Sequence, residues 1–223
     1  MLEFDHLFVF TQFKAPEADA VVAAGFREGS RNSHPGQGTA NRRVFLTNAM
    51  VEFLWVCTPA ETATLAIAPM QFGARSNYRQ SGYSPFGIAL RYCSGIVEEK
   101  SLPFDTWAYR PPYLPSQLQF EVAHTRPQEP LIFILPFDST RPDQFSPAKR
   151  QPLDHPNAIQ EITALHLTVP VAEPRSPALL FLQAAAIAKF TQGEDHLATL
   201  ECDHAIQGQS ADFRPQLPLS FHY

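Results

Sequence analysis

Two side chains in the first quarter of the chain are of the type that does proton or metal chemistry: His6 and Glu52. His6 lies in an apolar run, Phe4 to Phe10, that alternates like a strand. There an imidazole is a ligand or general base, or a core group hydrogen-bonded to backbone. Glu52 lies in a second apolar run with Met50, Leu54 and Val56 on its own side. A carboxylate is almost never buried unpaired. Glu52 therefore has a partner such as Arg43, faces a wet cleft, or is held protonated. Between the two runs, residues 34–43 (His-Pro-Gly-Gln-Gly-Thr-Ala-Asn-Arg-Arg) combine loop glycines with side-chain donors. His34, Gln37, Thr39, Asn41 and Arg43 are candidate ligand contacts there, for a carbonyl or anionic group. The bland alternative is a loop that caps a sheet, with Gly36 and Gly38 at positive φ. Trp107, Tyr109 and Arg110, ahead of Pro111-Pro112, are further candidates for a ligand cleft or for packing under a turn. His155-Pro156-Asn157 is equally open.

These residues need strands to place them. A strand at residues 3–10 puts Phe4, His6, Phe8 and Phe10 on one face, with Asp5, Leu7 and Val9 on the other. A helix over 16–25 opens on Pro16 and closes on Gly25. Strands at 26–30, 43–46 and 50–57 follow, with 32–41 as loop. The order is β-α-β-β-β. It recurs with strands at 86–92, 106–110, 118–123 and 131–135 and a short helix at 94–100. A third, partial unit has strands at 162–169, 197–202 and 217–223 and a helix from Ser176-Pro177 to about 190. Residues 4–9 and 164–169 align without gaps, as do 49–52 and 198–201, an internal echo that suggests duplication. The domain reading is a first module over 1–58, a second over 84–137, and a partial third over 155–223 on the same domain.

Composition narrows the function classes. The net charge is -5 with no basic run, so neither nucleic acid nor an anionic membrane is an expected partner. Acid stands where a secretory leader carries Lys or Arg, and the expectation is a cytoplasmic protein. Three widely spaced cysteines, Cys57, Cys93 and Cys202, form no Cys-x-x-Cys pair and read as buried small hydrophobes. The 21 prolines cluster in the middle third, which must then be short strands and rigid turns. Phosphate-binding glycine loops, the Gly-x-Ser-x-Gly elbow and His-Glu-x-x-His are absent from the sequence.

The His-bearing first strand, the β-α-β-β-β repeat, the 34–43 stretch and the strand Met50-Val51-Glu52-Phe53-Leu54-Trp55-Val56 together resemble the glyoxalase-like branch of the vicinal-oxygen-chelate superfamily. The resemblance implies an α+β fold: tandem βαβββ modules forming curved mixed sheets around a cleft, with the C-terminal unit as an extra partial module. It also implies a small-molecule ligand and, by family habit, a homodimer. Metal-dependent members chelate a divalent ion with His and Glu from the first and fourth strands of both modules. Carried over, His6 and Glu52 match two ligands, as metal ligands or as a catalytic acid/base pair. The second-module strands at 87–92 and 131–135 contain no His, Asp or Glu. His166 and Glu201 would complete a set for Zn, Fe, Mn or Ni if the third unit folded back over the cleft. The expected activity is a lyase, isomerase or dioxygenase-type reaction on a small oxygenated substrate; the alternative is a non-catalytic protein that sequesters one.

Overall fold

The computed structural model describes residues 1–93, 102–137, 139–171 and 175–223; the helix expected at 94–100 lies outside them. Eight strands build the first sheet: β1 (Leu2–Phe10), β2 (Asn32–His34), β3 (Thr39–Phe45), β4 (Met50–Val56), β5 (Phe86–Tyr92), β6 (Thr106–Tyr109), β7 (Phe120–Ala123) and β8 (Leu131–Ile134). Their spatial order is β2-β3-β4-β1-β5-β8-β7-β6. Each module is a four-stranded half in which the first strand lies parallel to the last, β1 on β4 and β5 on β8. The halves join where β1 pairs antiparallel with β5. The seam lies at the sheet centre, so β1 is covered on both faces and is fully buried from Asp5 to Phe10. This is the α+β architecture of curved mixed sheets that the sequence implies.

The remaining strands, β9 (Ile162–Val169), β10 (Lys189–Gln192), β11 (Leu197–Cys202), β12 (Ser210–Asp212) and β13 (Leu219–His222), form a second sheet in the order β10-β9-β11-β13-β12. This unit does not repeat the module topology: β9 has β10 and β11 as neighbours, and its partner β11 is antiparallel. It packs on one face of the large sheet. Leu7, Val9, Val51, Phe53, Ile88 and Leu90 share a core with Leu165, Leu167, Leu200 and Phe221. Burial of such a two-sheet core is the main stabilising term, about 25 cal/mol per Å² of apolar surface removed from water. The large sheet's other face carries a separate aromatic cluster that includes Phe8, Phe10, Phe120 and Phe133.

Several local expectations differ from the structure. The presumed loop 32–41 is mostly a hairpin, β2 and β3 paired from Asn32↔Asn41 to His34↔Thr39. Its turn is where glycine is needed: Gly36 and Gly38 take φ of +80° and +78°, and a Cβ on Gly38 would sit 2.4 Å from the Thr58 carbonyl oxygen. Residues 26–30 form only a bridge, Glu28 to Val44. The helix from Pro177 stops at Ala184, and Lys189–Gln192 is a strand beside β9. Short helices occupy the stretch between the modules, at Pro59–Thr62, Phe72–Ser76 and Tyr78–Ser81. Cys202 is buried as expected, whereas Cys57 is exposed and Cys93 half-buried. Among the described residues no helix is long and apolar enough to cross a membrane.

Candidate functional site

A cavity of about 680 Å³ opens on the face of the large sheet away from the second sheet. β1 reaches it through a bulge. The pairing of β1 with β5 slips between Phe4↔Leu90 and His6↔Ala89, so Asp5 is the extra residue. A bulge switches the in/out alternation of a strand. Phe4 accordingly packs with the Leu7/Val9 core, not with Phe8 as simple alternation predicts. Asp5 turns to the cavity beside His6, and its Oδ1 lies 2.6 Å from His6 Nδ1.

That carboxylate is saturated. Its Oδ2 accepts from Arg91 Nη1 at 3.0 Å and from the Ser139 hydroxyl at 2.8 Å. Arg91, fully enclosed at 2% side-chain exposure, also donates to Glu3 at 2.7 Å and to the Asn48 carbonyl at 2.7 Å. Burial alone would raise the Asp5 carboxyl; the hydrogen bonds from His6 and Ser139 and the charges of His6 and Arg91 outweigh it and hold the group below its ordinary value. Burial alone would lower the His6 imidazole. The Glu52 and Asp5 carboxylates outweigh that too, so His6 keeps its proton above the usual histidine range. With Nδ1 fixed by Asp5, Nε2 is the nitrogen left for a ligand.

Glu52 lines the cavity at 8% exposure. It lies beside Phe8 on β1 and directly opposite Arg43 on β3. Among the described residues its carboxylate accepts no hydrogen bond and makes no ion pair, so the expected Arg43 partnership is one of facing charges without contact. Arg43 spends Nε and Nη2 on the Ser30 carbonyl and hydroxyl, both at 2.7 Å, and stacks on Phe45 at 5.1 Å. Burial holds its guanidinium below the ordinary arginine value, against the pull of Glu52. Its Nη1 is unused by the described residues.

The hairpin contributes a hydrogen-bonded chain. The Tyr109 hydroxyl donates to Gln37 Oε1 at 2.6 Å, Gln37 Nε2 donates to the Thr39 hydroxyl at 2.7 Å, and that hydroxyl lies 2.9 Å from His34 Nδ1. Burial pushes His34 below the usual histidine range and Tyr109 and Tyr113 above the usual phenol range. His34 and Gln37 line the cavity; Thr39 and Asn41 sit fully buried behind them, and Asn41 Nδ2 has no partner.

The structure thus brings together His6, Glu52, His34, Gln37 and Arg43. It does not bring Trp107, Arg110, His166 or Glu201 to the cavity. Trp107 packs against the aromatic cluster one turn of the pleat away from Tyr109, and Arg110 is exposed, with its guanidinium on Gln119. His166 and Glu201 are on the second sheet. Leu165 and Leu167 turn inward there, which leaves His166 in solvent. His155 is a structural staple: Nδ1 accepts from Arg27 N–H at 3.0 Å and Nε2 donates to the Phe45 carbonyl at 2.8 Å. Of the cluster Trp107, Tyr109 and Arg110, Tyr109 alone lines the cavity, and sequence reasoning missed Asp5, Arg91, Tyr113 and Ser139. A lone acid next to the candidate histidine was the one available signal, and only the bulge reveals it.

A divalent metal does not fit this donor set. His34 has both ring nitrogens engaged and Asp5 has both oxygens engaged. His6 Nε2 and Glu52 remain, and catalytic sites take three protein ligands. In the second module the residues on this face are Gly87 and Ala89 on β5 and Leu131, Phe133 and Leu135 at β8, which offer no lone pair. The Phe133 ring packs edge-on against His6, centroids 5.7 Å apart. Among the described residues no three His, Cys, Asp or Glu side chains converge. The four-ligand set of His6, Glu52, His166 and Glu201 is not assembled.

The sequence matches the family model described as a glyoxalase-like domain over residues 4–180. A crystal structure of a hypothetical protein from Staphylococcus aureus is similar over 99% of both chains, at 12% identity and a TM-score of 0.55, a likeness of fold. A hypothetical protein from Bacillus halodurans aligns over 62% of this chain and 96% of its own, at 12% identity and a TM-score of 0.39. No curated protein matches the sequence. With four-fifths of its length under that model, the chain belongs to the glyoxalase-like family of the vicinal-oxygen-chelate superfamily.

Proposed function

We propose that the cavity binds a small oxygenated molecule and that Glu52 and His6 act on it as base and acid without a metal. The observation that carries this reading is the Glu52 carboxylate: nearly buried, facing the cavity, and without a hydrogen bond from the described residues, beside an imidazole that Asp5 steadies. A carboxylate that spends no bond on the described residues stays available to a ligand in the cavity, and an acid beside an imidazole that holds its proton is the pairing acid/base chemistry uses. In the reaction, Glu52 takes a proton from the carbon next to a carbonyl. The electron pair moves onto the carbonyl oxygen, where Arg43 Nη1–H donates to the developing enolate. His6 Nε2–H then returns a proton. The outcome is an isomerisation or lyase-type step.

The test is proton exchange. Wild-type protein in D2O should wash deuterium into the α-position of 1-hydroxy-2-octanone, and Glu52→Gln should slow this by about 10²–10⁴-fold, the usual worth of a positioned base. A second reading, ligand sequestration without turnover, is favoured by the hydrocarbon that fills the second module's equivalent face. Wild-type protein that binds the ketone yet exchanges no proton above buffer would establish that reading and end the catalytic one.

A further inference from the structure

The cavity's two walls differ in a way that names its ligand. Toward β3 and β4 stand the groups the protein leaves unused: Arg43 Nη1, His6 Nε2 and the Glu52 carboxylate. Behind them Asn41 Nδ2 is a buried donor with no partner. Toward β5–β8 and the helix Phe72–Ser76 the wall is Phe72, Phe120, Phe133 and Leu135, and Phe8 of β1 and Leu54 of β4 continue it. Residues of the strap 139–151 also line the cavity; the strap is tied down by Ser139 on Asp5, Arg141 on Glu3 at 2.9 Å, and Gln151 Oε1 on the Ser30 amide at 2.9 Å.

We infer that the ligand is an amphiphile: a hydrocarbon or aromatic body of drug-like size ending in an uncharged head that pairs a carbonyl with an adjacent hydroxyl or acidic C–H. This deepens the function proposed above and rests on the same cavity. Volume sets the body. A cavity of about 680 Å³ is in the range that encloses drug-sized molecules, and a three-carbon compound would leave most of the apolar wall wet. Complementarity sets the head. Arg43 Nη1 needs an acceptor and Glu52 needs a donor, which a hydroxyketone offers side by side. A carboxylate head would satisfy Arg43 but set a second anion beside Glu52, competing with it for the His6 and Arg43 charges; like charges brought together at an interface are rejected strongly.

Calorimetric titration with hydroxyacetone, the 1-hydroxy-2-alkanones of six, eight and ten carbons, and the fatty acids of the same lengths tests both parts. Affinity among the hydroxyketones should rise roughly fourfold per methylene, the yield of burying one CH2, with hydroxyacetone too weak to measure. At each length the hydroxyketone should bind at least about tenfold tighter than the acid. Glu52→Gln, which removes the charge and keeps the shape, should reverse that order, the acid gaining and the hydroxyketone losing. A purely structural role for Glu52 would not reverse it. Hydroxyacetone binding as tightly as the ten-carbon ketone overturns the body; wild-type protein preferring the acid overturns the head, and that ranking decides the matter even if the variant fails to fold. Graded binding with no α-proton exchange leaves the ligand class standing and removes only the catalytic reading.

Discussion

Arg91→Met tests whether the bulge in β1 is held by buried charge. The guanidinium is 2% exposed and makes three bonds: to Glu3 at 2.7 Å, to Asp5 at 3.0 Å and to the Asn48 carbonyl at 2.7 Å. Methionine keeps most of the volume and loses all three. Glu3 is about a quarter exposed and recovers solvation, so it adds little. Asp5 is 5% exposed and does not recover it; a buried carboxylate loses its cation and keeps only His6 and Ser139. Breaking a buried pair from one side costs about 3–5 kcal/mol. Asp5→Asn alone should cost less, about 1–3 kcal/mol, because Arg91 retains Glu3 and Asn48. Once Asp5 is neutral, losing Arg91 strands no charge. The double variant should therefore be more stable than the sum of the singles by at least about 1.5 kcal/mol. Urea unfolding followed by Trp fluorescence measures all three. A cost below about 1 kcal/mol for Arg91→Met, or additivity within about 0.5 kcal/mol, would show that Asp5 does not depend on the guanidinium.

Removing the Asp5 charge should also lower the titration midpoint of His6, followed by the imidazole C–H resonance in NMR, since that carboxylate helps hold it up; no change would detach Asp5 from His6. Gly87→Ala should cost about 1–3 kcal/mol, because a Cβ there would fall 2.0 Å from the Phe8 ring, and Phe8→Leu should recover part of the loss in the melting temperature. His155→Phe should cost about 1–3 kcal/mol for its two buried hydrogen bonds and leave ligand affinity unchanged. Stability should depend on pH in opposite senses around neutrality. His34, His155 and His196 are held low in the fold, so their contribution is present above the unfolded value near 6.5 and is lost as pH falls below it. His6 is held high, so its contribution is complete below about 6.5 and fades as pH rises through its folded value. The urea midpoint should therefore rise from about pH 5.5 to about 6.5 and decline above it; a midpoint that falls as pH rises toward about 6.5 contradicts the assignment.

The strands that carry strong alternation were legible. Residues 86–92, 162–169 and 197–202 were read with the bounds the structure gives them. The pairing of His6 with Glu52 was legible as well, because each stood among hydrocarbon where a polar group needs a reason. What failed did so for physical causes. Alternation has no memory of a bulge, so Asp5 was assigned to the wrong face. Polar composition hid the β2–β3 hairpin, whose ladder is satisfied by backbone regardless of side chain. The apolar run after Ser176 continued the look of a helix past Ala184 because Ile187, Ala188 and Phe190 serve the same core from a strand. The echo between 164–169 and 4–9 was real as a strand pattern but said nothing of topology, and so His166 was credited with a place at the cavity.

The two halves of the large sheet are alike in backbone and opposite in content, and that contrast explains why the site is one-sided. A paired-module site can draw polar groups from both central strands and both outer ones. Here β1 and β4 keep His6 and Glu52, while the facing positions at β5 and β8 hold glycine, alanine, phenylalanine and leucine. The packing is interlocked: the Phe8 ring lies where a Cβ on Gly87 would be, and Phe133 stacks on Phe8 and reaches His6. Hydrocarbon on that side excludes water, which strengthens each remaining charge interaction on the other. It also leaves a cation too few donors. The chain's own charges hold the two groups in place: the Asp5–Arg91–Glu3 chain stands behind His6 and the guanidinium of Arg43 faces Glu52. The ion network thus fixes His6 from behind while the aromatic wall, through Phe133, packs against its ring from the other module.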